Sequence, residues 1–150
     1  MSRIESPLLW YVKIPDGGSR GASKMKSRVD VVGSFNGQAF VAEWKLVKGG
    51  QSFRLDYLRD EQIDNLINAY ARKVVAYVII GHLITLKNKV PTSVLYVVPI
   101  QAWLKIMATL APDAKSVHLE QFFIDYQVLP IIGKFRKTSW PADQIFKEMT

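Results

Sequence analysis

Asp30, Glu43 and Lys45 are the residues of this 150-residue chain whose types and spacing point most directly to chemistry. Two β-rich runs, RVDVVGSF and QAFVAEWK, flank Asn36-Gly37, a dipeptide suited to a two-residue hairpin turn whose central positions both need positive φ. With those two residues in the turn, cross-strand partners have numbers summing to 73, which sets Asp30 opposite Glu43. Opposed residues carry their Cβ atoms about 5 Å apart on one sheet face, where two carboxylates repel. A hard divalent cation compensates naturally, because Mg²⁺ is held by one or two carboxylates together with water and substrate phosphate. Lys45 lies two residues beyond Glu43, so strand alternation puts its ammonium on the same face. Two metal-binding acids and a base suit phosphodiester hydrolysis, with the lysine orienting water or neutralising charge on phosphorus. The plain alternative is a surface hairpin with a salt bridge. The matched acid pair and the apolar Val32 and Val41 on the same face favour a site.

The elements that must position these residues follow from the pattern. Val29, Val31, Phe40, Ala42 and Trp44 alternate onto the opposite face and anchor the acids on a rigid strand pair. The segment through Ile14 is apolar, and a mobile basic loop follows at about 16–27, rich in glycine and serine. Beyond the hairpin, Lys48 to Gln51 form a second loop. Phe53 and Leu55 lead into a helix with apolar or aromatic positions at Leu58, Ile63, Leu66, Ile67 and Tyr70, capped by Asp56 or Asp60. Val74 to Ile80 is a continuous β-branched run, as expected for a strand buried on both faces at the centre of a sheet. A basic turn spans Lys87 to Lys89 and Val94 to Val98 form a further strand. Pro99 then starts a helix running through Trp103 and Met107, both read as core. Ser116 to Leu119 and Glu120 to Tyr126 read as a short strand and a short helix. The order hairpin, helix, strand, strand, helix implies a single α/β domain over residues 1–150, with a central mixed β-sheet flanked by helices.

Composition excludes several classes. Hydrophobic residues make up 49% of the chain, enough for one core and too many for a disordered tail. There is no cysteine, so neither disulfides nor thiolate zinc sites are available. The longest apolar stretch is far short of the ~20 residues that span a bilayer, and the N-terminus shows no export signal. We therefore expect no membrane partner and a cytoplasmic location. The net charge of +7 favours a polyanion. Lys13, Arg20, Lys24, Lys26 and Arg28 crowd the segment before the first clear strand and are candidate DNA-binding residues; Lys24, Lys26 and Arg28 lead directly into it and could follow a phosphate backbone. Lys134, Arg136 and Lys137 form a second cluster. His82 and His118 read as structural or surface histidines.

The spacing of Asp30 and then Glu43-Trp44-Lys45 resembles the PD-(D/E)xK nuclease superfamily. More of the chain resembles the RecU family of Holliday junction resolvases: KSRVDVVGSFNGQAFVAEWK, then QSFRLDYLRDEQIDNL, then VVAYVII, concentrated in residues 26 to 80. This resemblance implies a restriction-endonuclease-like fold, a homodimer, Mg²⁺ dependence (with Mn²⁺ able to substitute) and cleavage of branched DNA in recombination and repair. It also implies that Asp30 and Glu43 hold metal, that Lys45 is the catalytic lysine, and that Gln62 lies near them on the following helix. From its own spacing, Gln62 falls between Leu58 and Leu66 on the inward edge of that helix, where a polar side chain needs a partner. Glu5 is a weaker candidate for an extra acid.

The chain departs from the family in two respects. Arg28 stands where a threonine usually precedes the first acid by two residues. A short Gly-rich basic loop stands where the family has a longer N-terminal helix and a stalk insertion. The resulting expectation is a metal-dependent, structure-selective DNA endonuclease resolving four-way junctions. A phage or mobile-element nuclease with another DNA substrate, and a non-catalytic DNA-binding module of the same fold, are the alternatives.

Overall fold

The computed structural model describes residues 3–5, 9–14, 29–85, 92–125, 128–132 and 139–141. In chain order the strands and helices are β1 (Arg3–Glu5), β2 (Leu9–Lys13), β3 (Val31–Phe35), β4 (Gln38–Lys48), β5 (Ser52–Arg54), α1 (Asp60–Ala71), β6 (Val75–Ile84), β7 (Thr92–Pro99), α2 (Ile100–Thr109), β8 (Ser116–His118), α3 (Leu119–Asp125), β9 (Val128–Ile132) and β10 (Ser139–Pro141). A single 3₁₀ turn, Leu55–Tyr57, lies between β5 and α1.

The central sheet has six strands in the order β2-β3-β4-β6-β7-β9. It is mixed: β4 and β6 run parallel, joined through α1, and the other neighbouring pairs are antiparallel. This is the α/β class read from the sequence, a central mixed sheet flanked by helices. The other described strands form two small pairs, β1 with β10 and β5 with β8. No helix among the described residues is long and apolar enough to cross a membrane.

The hairpin forms as its turn residues require. Asn36 and Gly37 have φ of 49° and 78°, and Val31 pairs with Ala42, the expected register. Regular pairing begins at Val31, three residues later than the sequence pattern suggests. That delay corrects one side-chain assignment. Asp30 is a bend, so alternation does not extend back through it, and Val29 packs with the helix-side core instead of with Val31.

Two cores result from the sheet's alternation. On one face Val41, Val47, Ala76, Val78 and Ile80 meet α1, α2 and α3 through Leu66, Trp103 and Phe122. Trp103 is stacked on Phe122 at 5.7 Å and meets Phe53 edge-on at 5.7 Å, confirming it as core. On the other face Val31, Phe40, Ala42, Tyr77 and Ile79 form a second cluster, with Trp44 against it. Gly33 is needed where β2, β3 and β4 are stacked side by side. A Cβ there would stand 2.8 Å from the Phe40 ring and closer still to the Trp10 carbonyl oxygen. Gly33→Ala is therefore expected to destabilise the fold by roughly 1–3 kcal/mol, the range for overpacking, measurable as a lower urea midpoint at unchanged slope.

Several boundaries differ from the sequence reading. β6 runs four residues past Ile80, because pairing with β4 and β7 continues through Gly81 and His82 although the apolar run has ended. Pro99 is the last residue of β7 and the N-cap of α2, not its first helical residue. Tyr70 is 48% exposed and does not join the apolar face of α1. Neither Asp56 nor Asp60 caps that helix: Arg59 is its N-cap residue, and the Gln62 side chain reaches back to accept the Arg59 backbone N–H at 3.1 Å. Asp56 is instead paired with Arg54. The basic loop expected at about 16–27 and the basic turn expected at Lys87 to Lys89 lie outside the described residues.

Candidate active site

Glu43 and Lys45 sit on β4 just beyond the last residue paired with β3, yet both remain paired with β6 through Val78 and Ile80. Their backbone is thus fixed on one side and free on the other to face the turn at Asp30. The freed position is used: the Trp44 N–H donates to Asp30 Oδ2 at 3.2 Å, so the acid takes the place of a strand partner. The Asp30 carbonyl accepts the Ile14 N–H at 2.8 Å, tying the end of β2 to the same point.

The three residues singled out by spacing come together. Lys45 Nζ lies 3.7 Å from Glu43 Oε2 and 4.0 Å from Asp30 Oδ2. Glu43 is 1% exposed, whereas Asp30 and Lys45 are 22% and 21% exposed. Gln62 completes the group: its Nε2 donates to Glu43 Oε2 at 2.8 Å while its Oε1 holds the helix N-terminus. A glutamine serves both tasks because its amide carries a donor and an acceptor. Glu43 and Gln62 therefore join β4 to the first turn of α1.

Burial raises the Glu43 pKa to about 8; the hydrogen bond to Asp30 and the Asp30 charge push the same way, and Lys45 pulls it down. One lysine cannot balance two carboxylates at this separation, so at neutral pH the pair retains a proton. That proton marks a deficit of positive charge that a dication would fill. The donor set also suits a hard cation, since Asp30 and Glu43 would offer it carboxylate oxygens and Asp30 opens to solvent, from which water or phosphate could reach it. No group of three or more His, Cys, Asp or Glu that could hold a metal ion occurs among the described residues; Asp30 and Glu43 are the two carboxylates that could do so here.

The site opens into a cleft of about 720 Å³ lined by Lys13, Ile14, Asp30, Trp44, Lys45, Asp56, Tyr57, Arg59 and Gln62. Of the basic residues read as DNA-binding, Lys13 is exposed at its edge. Arg20, Lys24, Lys26 and Arg28 lie outside the described residues. The structure adds Tyr57 and Arg59, which sequence reasoning passed over. They belong to the irregular connection between β5 and α1, where no periodicity applies; the only local signal was an aromatic flanked by arginines in RLDYLR. Both histidines have structural partners. His82 is buried with Nε2 2.7 Å from the Gly50 carbonyl, and His118 Nδ1 accepts the Glu120 N–H at 3.2 Å. The side chain of Glu5 is outside the described set.

No protein-family model matches the chain, and no curated protein matches it significantly. Thirteen chains of solved structures match. One is the 1.6 Å structure of Hjc from Archaeoglobus fulgidus, a Holliday junction resolvase from an archaeal hyperthermophile, with a TM-score of 0.46 and 16% sequence identity over 79% of this chain and 81% of that one.

Proposed function

We propose that this protein is a divalent-metal-dependent DNA endonuclease of RecU-like, PD-(D/E)xK type, acting as a homodimer on branched DNA such as four-way junctions. The observation that carries the reading is the convergence of Asp30, Glu43 and Lys45 within 4.0 Å at a cleft with further cations along it. The resemblance of residues 26 to 80 to the RecU family supports the choice of substrate.

Asp30 and Glu43 are the residues that would hold Mg²⁺ or Mn²⁺. Such a cation, when bound, polarises a phosphoryl oxygen and eases deprotonation of water. The chain's own residues do the rest. Gln62 fixes the Glu43 carboxylate and the Trp44 N–H fixes that of Asp30, so neither must reorganise during the reaction. Lys45 stands where it can orient the attacking water or donate to the phosphate oxygens as negative charge grows on them. The water oxygen bonds to phosphorus, one P–O ester bond breaks, and the products are a phosphate monoester and a hydroxyl. Lys13 and Arg59 supply positive charge for the flanking phosphates.

The reading is tested on a labelled four-way junction with matched linear duplex and flap, comparing wild type and Asp30→Asn with and without Mg²⁺. Paired symmetric nicks on the junction, lost on chelation or in Asp30→Asn, are expected. Cutting of duplex or flap in preference would keep the chemistry and reject the junction. Binding without cleavage under any metal would leave a DNA-binding module, and absence of both binding and cleavage would return Asp30 and Glu43 to an ion-paired hairpin.

A further inference from the structure

We propose that Tyr57 is a specificity-determining residue that stacks on an unstacked nucleobase beside the scissile phosphate, so that the preferred substrate is DNA with an unpaired or splayed nucleotide at the cut. This rests on the nuclease reading above and deepens it. Tyr57 is 44% exposed although its neighbour Phe53 is fully buried, and it lines the same cleft as Asp30 and Lys45. Its ring is held from two sides. Phe53 meets it edge-on at 5.6 Å with planes at 86°, and the Arg54 guanidinium lies 5.5 Å from its centroid. Arg54 is itself fixed by two hydrogen bonds to Asp56, one of them 3.0 Å from Nε to Oδ1. A ring so fixed contacts a ligand at little entropic cost.

The neighbours indicate what that ligand is. Lys13, Lys45 and Arg59 line the cleft with Tyr57, and Asp56 is engaged by Arg54. An aromatic face among cations is well suited to single-stranded nucleic acid, where a base stacks and its phosphates meet the charges. In a continuous duplex each base is already stacked on its neighbours and offers no free face. A junction, a flap or a frayed end does.

The test places 2-aminopurine, and in a second substrate an abasic site, at the nucleotide flanking the mapped cleavage position. Wild-type protein is expected to change the 2-aminopurine fluorescence on binding. Tyr57→Ala and Tyr57→Leu should raise KM for the branched substrate roughly 5- to 150-fold, with kcat changed far less, while Tyr57→Phe stays near wild type. The abasic substrate should cost wild type a similar factor, a comparison that needs no stable variant, and should cost Tyr57→Ala little more. Affinity for continuous duplex should be the same in all four proteins. Equal KM for wild type and Tyr57→Leu on the branched substrate, or equal losses on duplex, would overturn the stacking role while leaving cleavage intact. Wild type that neither binds nor cuts any DNA would sink the nuclease reading and this proposal together.

Discussion

Lys45→Met is expected to lower kcat for DNA cleavage by roughly 10²–10³-fold, the scale for removing one preorganised donor from a developing negative charge. Methionine keeps most of the side chain's length and packing, so the loss reports the ammonium. Binding should change little, because Lys13 and Arg59 remain at the cleft to supply the proposed phosphate contacts. A second effect separates this from simple damage. Lys45 lowers the Glu43 pKa in the metal-free protein, so its removal should drive that pKa further up and carry the loss of stability to higher pH. Single-turnover rates at saturating Mg²⁺ measure the first effect, and melting curves in chelator from pH 6 to pH 9 the second. An unchanged kcat would remove Lys45 from the role given to it.

Glu43 should also make the metal-free protein less stable as pH rises, the reverse of the usual carboxylate behaviour. Its folded pKa, about 8, lies above the ordinary value of 4.5, so between those values the native state holds a proton that the unfolded chain has released. Stability from this group is fully present below about pH 4.5 and is lost as pH rises through 8, at up to about 1.4 kcal/mol per pH unit for one proton. Glu43→Gln mimics the protonated acid and cannot lose a proton. Melting curves of wild type and Glu43→Gln in chelator should therefore nearly coincide at pH 5 and diverge towards pH 9, with the variant the more stable. Mg²⁺ should reverse the order at high pH by stabilising wild type alone. Parallel curves across the range would show that Glu43 titrates normally.

The sequence disclosed what is encoded by local alternation and turn chemistry. Asn36-Gly37 set the register, the register placed Asp30 against Glu43, and alternation added Lys45; helical spacing turned Gln62 inward. What it left hidden depends on long-range assembly. The parallel pairing of β1 with β10 joins the two ends of the chain, and nothing in either segment names its partner. The order of the six strands is likewise a choice made by packing. Tyr57 and Arg59 escaped because a 3₁₀ turn and the short link from it to α1 have no face to read, and their place in the cleft follows from where α1 docks. Val29 was misassigned for a related reason: alternation was carried through Asp30, where the chain bends.

The hydrogen bond from the Ile14 N–H to the Asp30 carbonyl, next to the pairing of Lys13 with Val31, closes the neck of the segment between them. Closure entropy rises by only about 0.6 kcal/mol for each doubling of loop length. Insertions or deletions between residues 14 and 30 can therefore accumulate without disturbing the acid that follows the neck. In evolutionary terms the closed neck lets the length of that segment change independently of the hairpin.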